Sequence, residues 1–286
     1  MNILTIDTVA GLIARHGLET CLHELIHDLR RDFSRWHEFT MIPRPAMHVP
    51  GGVLELMPIC DQTYYTFKYV NCHPRNPGQG LNTVVATGQL VRVDTGYPLM
   101  YTEMVLLTAL RTAATAALAT DLMARADARI MAVVGTGAQS EFQVRATELV
   151  RGLTEVRFFD IDRAAMDKFE RNMADSGMKL VRCRSAREAV TGADIITVCT
   201  ACKAHVDVVK KAWVKAGAHI NALGGDCPGK TELERTLLPG ARVVVEYFEQ
   251  SYVEGEIQQF TLEEAKKIVA AELHQLVTGH ASGRDR

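Results

Sequence analysis

Nothing in this 286-residue chain leans strongly to one sign of charge. Its 32 lysines and arginines against 34 aspartates and glutamates give a formal net charge of −2, histidine taken as neutral. That balance gives no electrostatic case for a nucleic acid or an anionic membrane as partner. No uninterrupted apolar run reaches the ~18 to 20 residues needed to span a bilayer. The amino terminus, "MNILTIDTVAG", lacks a basic region followed by a long apolar stretch and is not read as a signal peptide. The seven cysteines lack the dense spacing of a disulfide framework and read as reduced thiols of a cytoplasmic protein. Cys199 and Cys202 form "CTAC" with His205 close behind. No second ligand pair stands at zinc spacing and no thioredoxin-like context surrounds them. "DIITVCTAC" reads instead as a buried strand running into a loop, and no metal site is expected. Internal repeats and low-complexity tracts are also lacking.

What is present is ordinary for a soluble globular protein, with 47% apolar and 23% charged residues. The length suggests about two domains, with ample chain to bury a core. Two textures divide it. From about Thr8 to Phe39 the pattern reads as helix, with Leu12, Ile13, Leu22, Leu25, Ile26 and Leu29 at helical spacing. From Pro43 to about Pro98 it becomes extended, with "GVLELMPI" and "YYTFKYV" as short strands between Pro, Gly and Asn clusters. A long helix of small apolar residues, "TEMVLLTALRTAATAALATDLMA", follows and is expected to be buried between domains.

The second texture starts at Arg129. The apolar runs "RIMAVVG", "EVRFFD", "LVRCR", "DIITVCT", "AHINALG" and "ARVVVEY" are interleaved with helical segments such as "AQSEFQVRATELVRG" and "RAAMDKFERNMADSG". That alternation predicts a parallel sheet covered on both faces. Thr261 and Glu264 make a capping box and Gly279 a stop, so "TLEEAKKIVAAELHQLVTG" is expected as one terminal helix. The expected class is α/β, a Rossmann-type doubly wound parallel sheet with a second α+β domain. The spans are 1–112 for the second domain, 113–260 for the sheet, and 261–286 for a helix and tail.

"VVGTGAQS" places Gly135 and Gly137 at the turn from the first strand of this sheet into its first helix. Glycine there allows a tight turn and close approach of a pyrophosphate, which the helix N-terminus attracts. The third position of the fingerprint is Ser140, still small enough for close packing. Asp160 ends "EVRFFD", where an acid can bind a ribose 2′-hydroxyl and repel a 2′-phosphate, favouring NAD over NADP. The competing readings are a plain tight turn for the glycines and a helix N-cap for Asp160. Asp162 and Arg163, just beyond, read as solvated.

"INALGGDCPGK" runs a short apolar strand into Gly224 and Gly225 and then sets Asp226 before Cys-Pro-Gly. Ligands of such sheets sit beyond the carboxyl ends of the strands, so Asp226 falls near a bound nicotinamide. A carboxylate there can take a proton from a substrate amine or hydroxyl as hydride leaves; the alternative is a turn former. In the first half, Arg44 in "MIPRPAM", Lys68 in "YTFKYVN" and Arg111 in "LTALRTAATAAL" are cations in otherwise apolar segments. Singly each could be a snorkelling or structurally paired cation; together they suit an anionic substrate. Glu55 in "VLELMP" either receives a distal ammonium or alternates outward on its strand.

These segments resemble one family. "LELMP", "FKYVN" followed by "HP", "DTGYP", "TALRTAAT", "GTGAQSEFQ", "HINALGGDCPGKTEL" and "VEYFEQSYVEGEIQQ" are similar to motifs of the ornithine cyclodeaminase and mu-crystallin family, over roughly Arg44 to Gln259. The resemblance implies a homodimer with an NAD-binding Rossmann domain and a substrate-binding and dimerisation domain. It implies Asp226 as general acid and base, with Arg44 and Lys68 on the substrate carboxylate. Thr83, Arg111, Ala138, Gln139, Asp160, Thr200, Leu223, Gly224, Gly225 and Lys230 would contact the cofactor or lie beside it. The implied reaction turns L-ornithine into L-proline and ammonia, with a hydride lent to NAD and returned. Within the family, a ketimine reductase, an amino acid dehydrogenase or a non-catalytic NAD-binding protein would share this pattern. Family members continue past "HASGRDR" with a strand, a helix and a Ser-x-Gly segment, so one wall of the pocket is expected to be missing from this sequence.

Overall fold

The computed structural model describes residues 1–201 and 204–284. They form two compact units, one of Met1–Leu25 with Arg35–Arg111, the other of Ile26–Ser34 with the chain from Thr112 onward.

The first unit opens with β1 (Asn2–Leu4) and α1 (Ile6–His16). The Thr5 hydroxyl accepts the Thr8 N–H at 3.3 Å and starts α1. Gly17, with φ 85°, ends it and returns its N–H to the Ile13 carbonyl. A left-handed residue cannot continue an α-helix. The single helix expected over Thr8–Phe39 is therefore two, α1 and α2 (Leu18–Ser34), with a 3-10 turn at Trp36–Glu38.

β2 (Thr40–Met41), β3 (Ala46–Val49), β4 (Gly52–Cys60), β5 (Tyr64–Cys72), β6 (Ala86–Arg92) and β7 (Pro98–Glu103) complete the unit's sheet, in the order β1-β7-β6-β5-β4-β2 with β3 also on β4. The pairings are antiparallel except β1 beside β7. Side chains alternate across it as strand geometry demands. Val53, Glu55, Val70, Ala86 and Thr102 are buried, whereas Ile3, Leu56, Tyr65 and Tyr101 are exposed.

α3 (Val105–Met123) begins three residues later than the expected Thr102, which belongs to β7. The Glu103 carboxylate accepts the N–H groups of Val105 and Leu106 at 2.8 and 3.2 Å and so sets the start. The chain passes from the first unit to the second within α3, after Arg111. By length and composition this 19-residue helix could cross a membrane, which departs from the expectation that no segment could. Its Ala113, Ala114, Ala117 and Leu118 are fully buried, as in the core helix of a globular unit.

The second unit carries β8 (Ile130–Val134), α4 (Ser140–Val150), β9 (Glu155–Phe159), α5 (Arg163–Asn172), β10 (Lys179–Arg182), α6 (Ala186–Val190) and β11 (Ile195–Val198). It continues with β12 (His205–Val209), β13 (His219–Ala222), β14 (Thr231–Leu233), β15 (Val243–Val245) and α7 (Phe248–Val253). Five strands form the parallel sheet β10-β9-β8-β11-β13. Its order reverses between β8 and β11, the arrangement of the doubly wound fold. Alternate residues serve two cores. Met131, Val133, Val156, Phe158 and Ile195 pack with Val144, Met166 and Phe169. Ala132, Val134, Ile196 and Val198 pack with Ala189, Leu237 and Phe260. Both faces being covered explains why the strands read as unbroken apolar runs.

Two expectations fail at the end of the chain. "ARVVVEY" supplies β15, but β15 lies outside the five-stranded sheet. The single terminal helix is instead α8 (Leu262–Ile268), β16 (Val269–Glu272) and α9 (Leu273–Val277). The Thr261–Glu264 capping box does start α8. Ile268 and Val269 are both β-branched, which leans toward strand over helix, and parallel pairing of β16 with β15 uses that preference.

Candidate functional site

The chain turns from β8 into α4 through Gly135 and Gly137. Gly135 has φ 95°, and a Cβ there would lie 2.8 Å from the carbonyl carbon and oxygen of Cys199 and 2.9 Å from Thr200 N. Only glycine fits, so the turn leaving β8 lies against the turn leaving β11. The sheet order reverses between these two strands, where ligands of open α/β sheets bind. At Gly137 an added Cβ would meet nothing within 4 Å. The Ser140 hydroxyl, fully buried, donates to the Gly137 carbonyl at 2.8 Å, so serine at the third fingerprint position stitches the turn. Ala138 is exposed, and the Oε1 of Gln139 is buried with no hydrogen-bond partner among the described residues.

Asp160 leaves β9 beside this turn. Its carboxylate accepts the N–H of Thr136 at 2.6 Å and of Asp162 at 2.9 Å. It is not the cap of α5. Asp162 holds that place, accepting the Ala164 N–H at 2.8 Å, where a merely solvated side chain was expected. A carboxylate has about four acceptor positions, so Asp160 keeps capacity for a ligand hydroxyl. Lys168, which the sequence did not single out, donates to the Gly137 carbonyl at 2.8 Å and pairs with Glu141. An open Gly137, a partnerless buried amide oxygen and an acid at the β9 exit fit a dinucleotide, its pyrophosphate on the N-terminus of α4.

Asp226 follows β13. Leu223 donates to the Val198 carbonyl at 3.0 Å, which carries the β13 exit along the β11 exit. Asp226 N–H closes a turn on the Gly224 carbonyl at 2.9 Å, while the side chain does something else. Lys230 donates from Nζ to Asp226 Oδ1 at 3.0 Å and to the Thr200 carbonyl at 2.8 Å. The lysine side chain is 2% exposed and the aspartate 48%. Among the described residues no backbone amide is recorded on the Asp226 carboxylate, so turn formation does not account for it.

Two buried acids that the sequence did not reveal stand behind this pair. Glu232 on β14 accepts the Thr200 hydroxyl, lies 3.9 Å from Lys230 Nζ, and has a buried Oε2 with no partner among the described residues. A Cβ at Gly224 would fall 1.6 Å from that Oε2, so the Glu232 carboxyl occupies the space glycine leaves. Glu256 accepts the N–H groups of Glu232 and Leu233 at 2.8 and 3.0 Å. Burial pushes Glu256 up to about 7 and also raises Glu232. At Lys230 burial acts to lower the pKa, but the nearby charges of Asp226 and Glu232 outweigh it and leave it raised. The only sequence signal for these acids was their place in "GGDCPGKTEL" and "VEYFEQSYVEGEIQQ".

In the first unit, Glu55 is buried, so it does not alternate outward. Its Oε1 has no hydrogen-bond partner among the described residues. Register puts Met57 opposite Lys68, and Glu55 between Ala46 and Val70, so Glu55 and Lys68 share the inner face of the sheet. Lys68 is half-buried, with Nζ 3.5 Å from the Thr108 hydroxyl, and Arg44 enters β3 half-buried two residues before Ala46. Arg111 is exposed on α3, so it does not violate the apolar packing. The Thr83 carbonyl accepts the His73 N–H at 2.8 Å.

Cys202 lies outside the described residues. Burial pushes the Cys199 thiol up to about 12, and it donates to the Gly135 carbonyl. His205 meets the Thr231 hydroxyl at 2.9 Å. No group of three metal-ligating side chains occurs among the described residues.

Residues 7–286 match the profile of the Ornithine cyclodeaminase/mu-crystallin family. The chain belongs to this family. It is 47% identical over 281 residues to the ornithine cyclodeaminase of Brucella suis, covering 98% of this chain and 77% of that one. With the L-lysine cyclodeaminase of Streptomyces rapamycinicus it shares 33% over 270 residues, 90% of this chain and 78% of the other. An archaeal alanine dehydrogenase dimer with bound NAD superposes with a TM-score of 0.90 at 31% identity, covering 100% of this chain and 87% of that one. The α/β class with a Rossmann-type parallel sheet is thus common to this chain and its relatives.

Proposed function

We propose that the protein is an NAD-dependent ornithine cyclodeaminase, forming L-proline and ammonia from L-ornithine. The observation that carries this reading is the half-exposed Asp226 carboxylate held by a buried lysine at the exit of β13. The likeness to the Brucella suis ornithine cyclodeaminase supports the substrate, and the NAD-bound archaeal neighbour supports the cofactor.

Gly135, Gly137, Ala138, Gln139, Ser140, Asp160, Thr200, Leu223, Gly224 and Gly225 would hold the dinucleotide. When bound, NAD supplies a two-electron acceptor that can return what it takes. Arg44 and Lys68 hold the substrate carboxylate, as cations on a short sheet suit an anion. Glu55, buried with an unfilled oxygen, receives the distal ammonium. Asp226 takes a proton from the α-amine and later gives one back. Holding the distal amine against the activated carbon is a proximity effect that can lower the barrier by about 7–11 kcal/mol at best. The cyclisation then expels ammonia.

Net amino acid oxidation or imine reduction is the second reading. The likeness to the alanine dehydrogenase and to a Thermococcus litoralis Δ1-pyrroline-2-carboxylate reductase favours it, the latter at TM-score 0.90 and 29% identity. Incubation with L-ornithine and a trace of NAD separates the readings. Proline and ammonia without accumulating NADH support the cyclodeaminase. NADH formed in step with substrate loss supports the oxidoreductase, and NAD binding without turnover on any diamino acid supports a binding protein.

We also propose a homodimer joined through the first unit. Ile3 pairs with Tyr101, Tyr101 with Gln89 and Gln89 with Phe67, so Ile3, Tyr101 and Tyr65 share one sheet face. They are 64%, 39% and 37% exposed, an apolar face that a second copy would cover. The free thiols of Cys21, Cys60, Cys183 and Cys199 suit a reducing cytoplasmic setting. Light scattering across a dilution series tests the dimer.

A further inference from the structure

Lys230 is among the largest fully buried side chains of the protein, and its ammonium is committed to protein atoms. It reaches Asp226 Oδ1 at 3.0 Å, the Thr200 carbonyl at 2.8 Å, and Glu232 at 3.9 Å. An ammonium has three donors and a strong charge. Such a group survives burial only when paired, and here the pairing joins an exposed acid to a buried one.

The loop between these acids is itself clamped. Gln258 accepts the Gly229 N–H at 2.7 Å through Oε1, and its amide donates to the Lys230 carbonyl at 2.8 Å and the Gly255 carbonyl at 2.9 Å. Glu256 holds the backbone of Glu232 and Leu233 from the same 3-10 turn. The segment "EGEIQQ" is therefore a rigid seat for residues 227–233, and so for the lysine.

We propose that Lys230 is a positioning residue for Asp226, with Glu232 balancing its charge, and that this couple sets the orientation and proton exchange of the Asp226 carboxylate. This rests on the reading of Asp226 as the proton carrier. The lysine acts through Asp226 rather than as a cation for the cofactor's phosphates. The charged and titratable groups around the ammonium are Asp226 and Cys227 from its own loop, Glu232 from β14, and Glu256 from the following turn. Lys230→Met removes the charge and donors and keeps an unbranched apolar stem, one heavy atom shorter. A nearby cation favours the ionised form of a carboxylate, and a nearby anion disfavours it. The two partners should therefore act in opposite directions.

The test is the pH dependence of turnover, with NAD binding measured separately by calorimetry. In Lys230→Met, NAD affinity stays near that of the unaltered protein, kcat falls roughly 10- to 100-fold, and the acid limb moves up. In Glu232→Gln, which keeps an acceptor for Thr200, the acid limb moves the other way. A Lys230→Met profile superimposable on the original, in a protein that still binds NAD, overturns the proposal, as does loss of NAD affinity with an unmoved limb. If Lys230→Met does not fold, Glu232→Gln decides alone: a downward limb upholds the proposal and an unmoved one refutes it. Asp226→Asn separates the two layers. Should Asp226→Asn keep full turnover, the proton-carrier reading itself fails. Should it lose turnover while the limb is unmoved in both partner variants, only the positioning role fails.

Discussion

The Nζ of Lys230 lies 3.0 Å from Oδ1 of Asp226, with the lysine 2% exposed and the aspartate 48%. One end of this ion pair is fixed inside the fold and the other is presented outward. A carboxylate so held can meet a substrate without searching for its orientation.

Replacing Asp226 by asparagine keeps the shape and removes the proton acceptor. NAD binding should persist, while kcat drops about 10²- to 10⁴-fold, the span of general acid–base catalysis. Steady-state kinetics beside an NAD titration checks this.

Asp160→Ala removes the ligand acid and also frees the Thr136 N–H of the glycine turn. The Kd for NAD should rise far more than the KM for ornithine. Equal losses would point to a purely structural brace.

Glu55→Gln leaves the packing and removes the buried charge. Charge-assisted hydrogen bonds are worth about 1.5–3 kcal/mol. The KM for ornithine should therefore rise roughly 10- to 100-fold, while inhibition by proline, which has no distal ammonium, changes little.

Gly224→Ala places a Cβ 1.6 Å from Glu232 Oε2. Overpacking of this kind costs about 1–3 kcal/mol. The loss, read in denaturant, should shrink in a Glu232→Ala background, because the two changes share one space.

Glu256 gives a stability signature of known sign. Burial raises it to about 7, from an ordinary 4.5, so the folded state binds the extra proton. Its contribution is complete below about pH 4.5 and is lost as the pH rises through about 7, on the order of 3 kcal/mol in all. His219, pushed down to about 4 by burial, acts in the opposite sense. The difference between Glu256→Gln and its parent, measured in urea from pH 4.5 to 8, isolates the glutamate. The parent should lose stability relative to the variant across that range.

The sequence made the parallel sheet legible because both its faces are covered, which turns each strand into an unbroken apolar run. The glycine turn was legible for a local reason: residue types at fixed offsets carry its geometry. Glu232 and Glu256 were not legible. Their burial depends on Lys230, Gly224 and two backbone amides brought together from separate segments, and an acid in a charged stretch carries no mark of that. That Glu55 turns inward was not legible either, because it depends on which face of β4 is covered. The end of the chain misled for a related reason. Ala265, Ile268, Leu273 and Leu276 keep helical spacing, yet the residues between Ile268 and Leu273 form a strand because β15 offers an edge.

The proposed function stands on one cycle: Asp226 exchanges a proton with the substrate, and what leaves the substrate's α-carbon returns to it. Mass spectrometry of proline made from L-ornithine deuterated at the α-carbon, with NAD present in trace, tests this most directly. The account predicts proline that retains the deuterium in protiated water, over many turnovers per NAD. Proline with the label washed out, or deuterated NADH accumulating in place of proline, would contradict it.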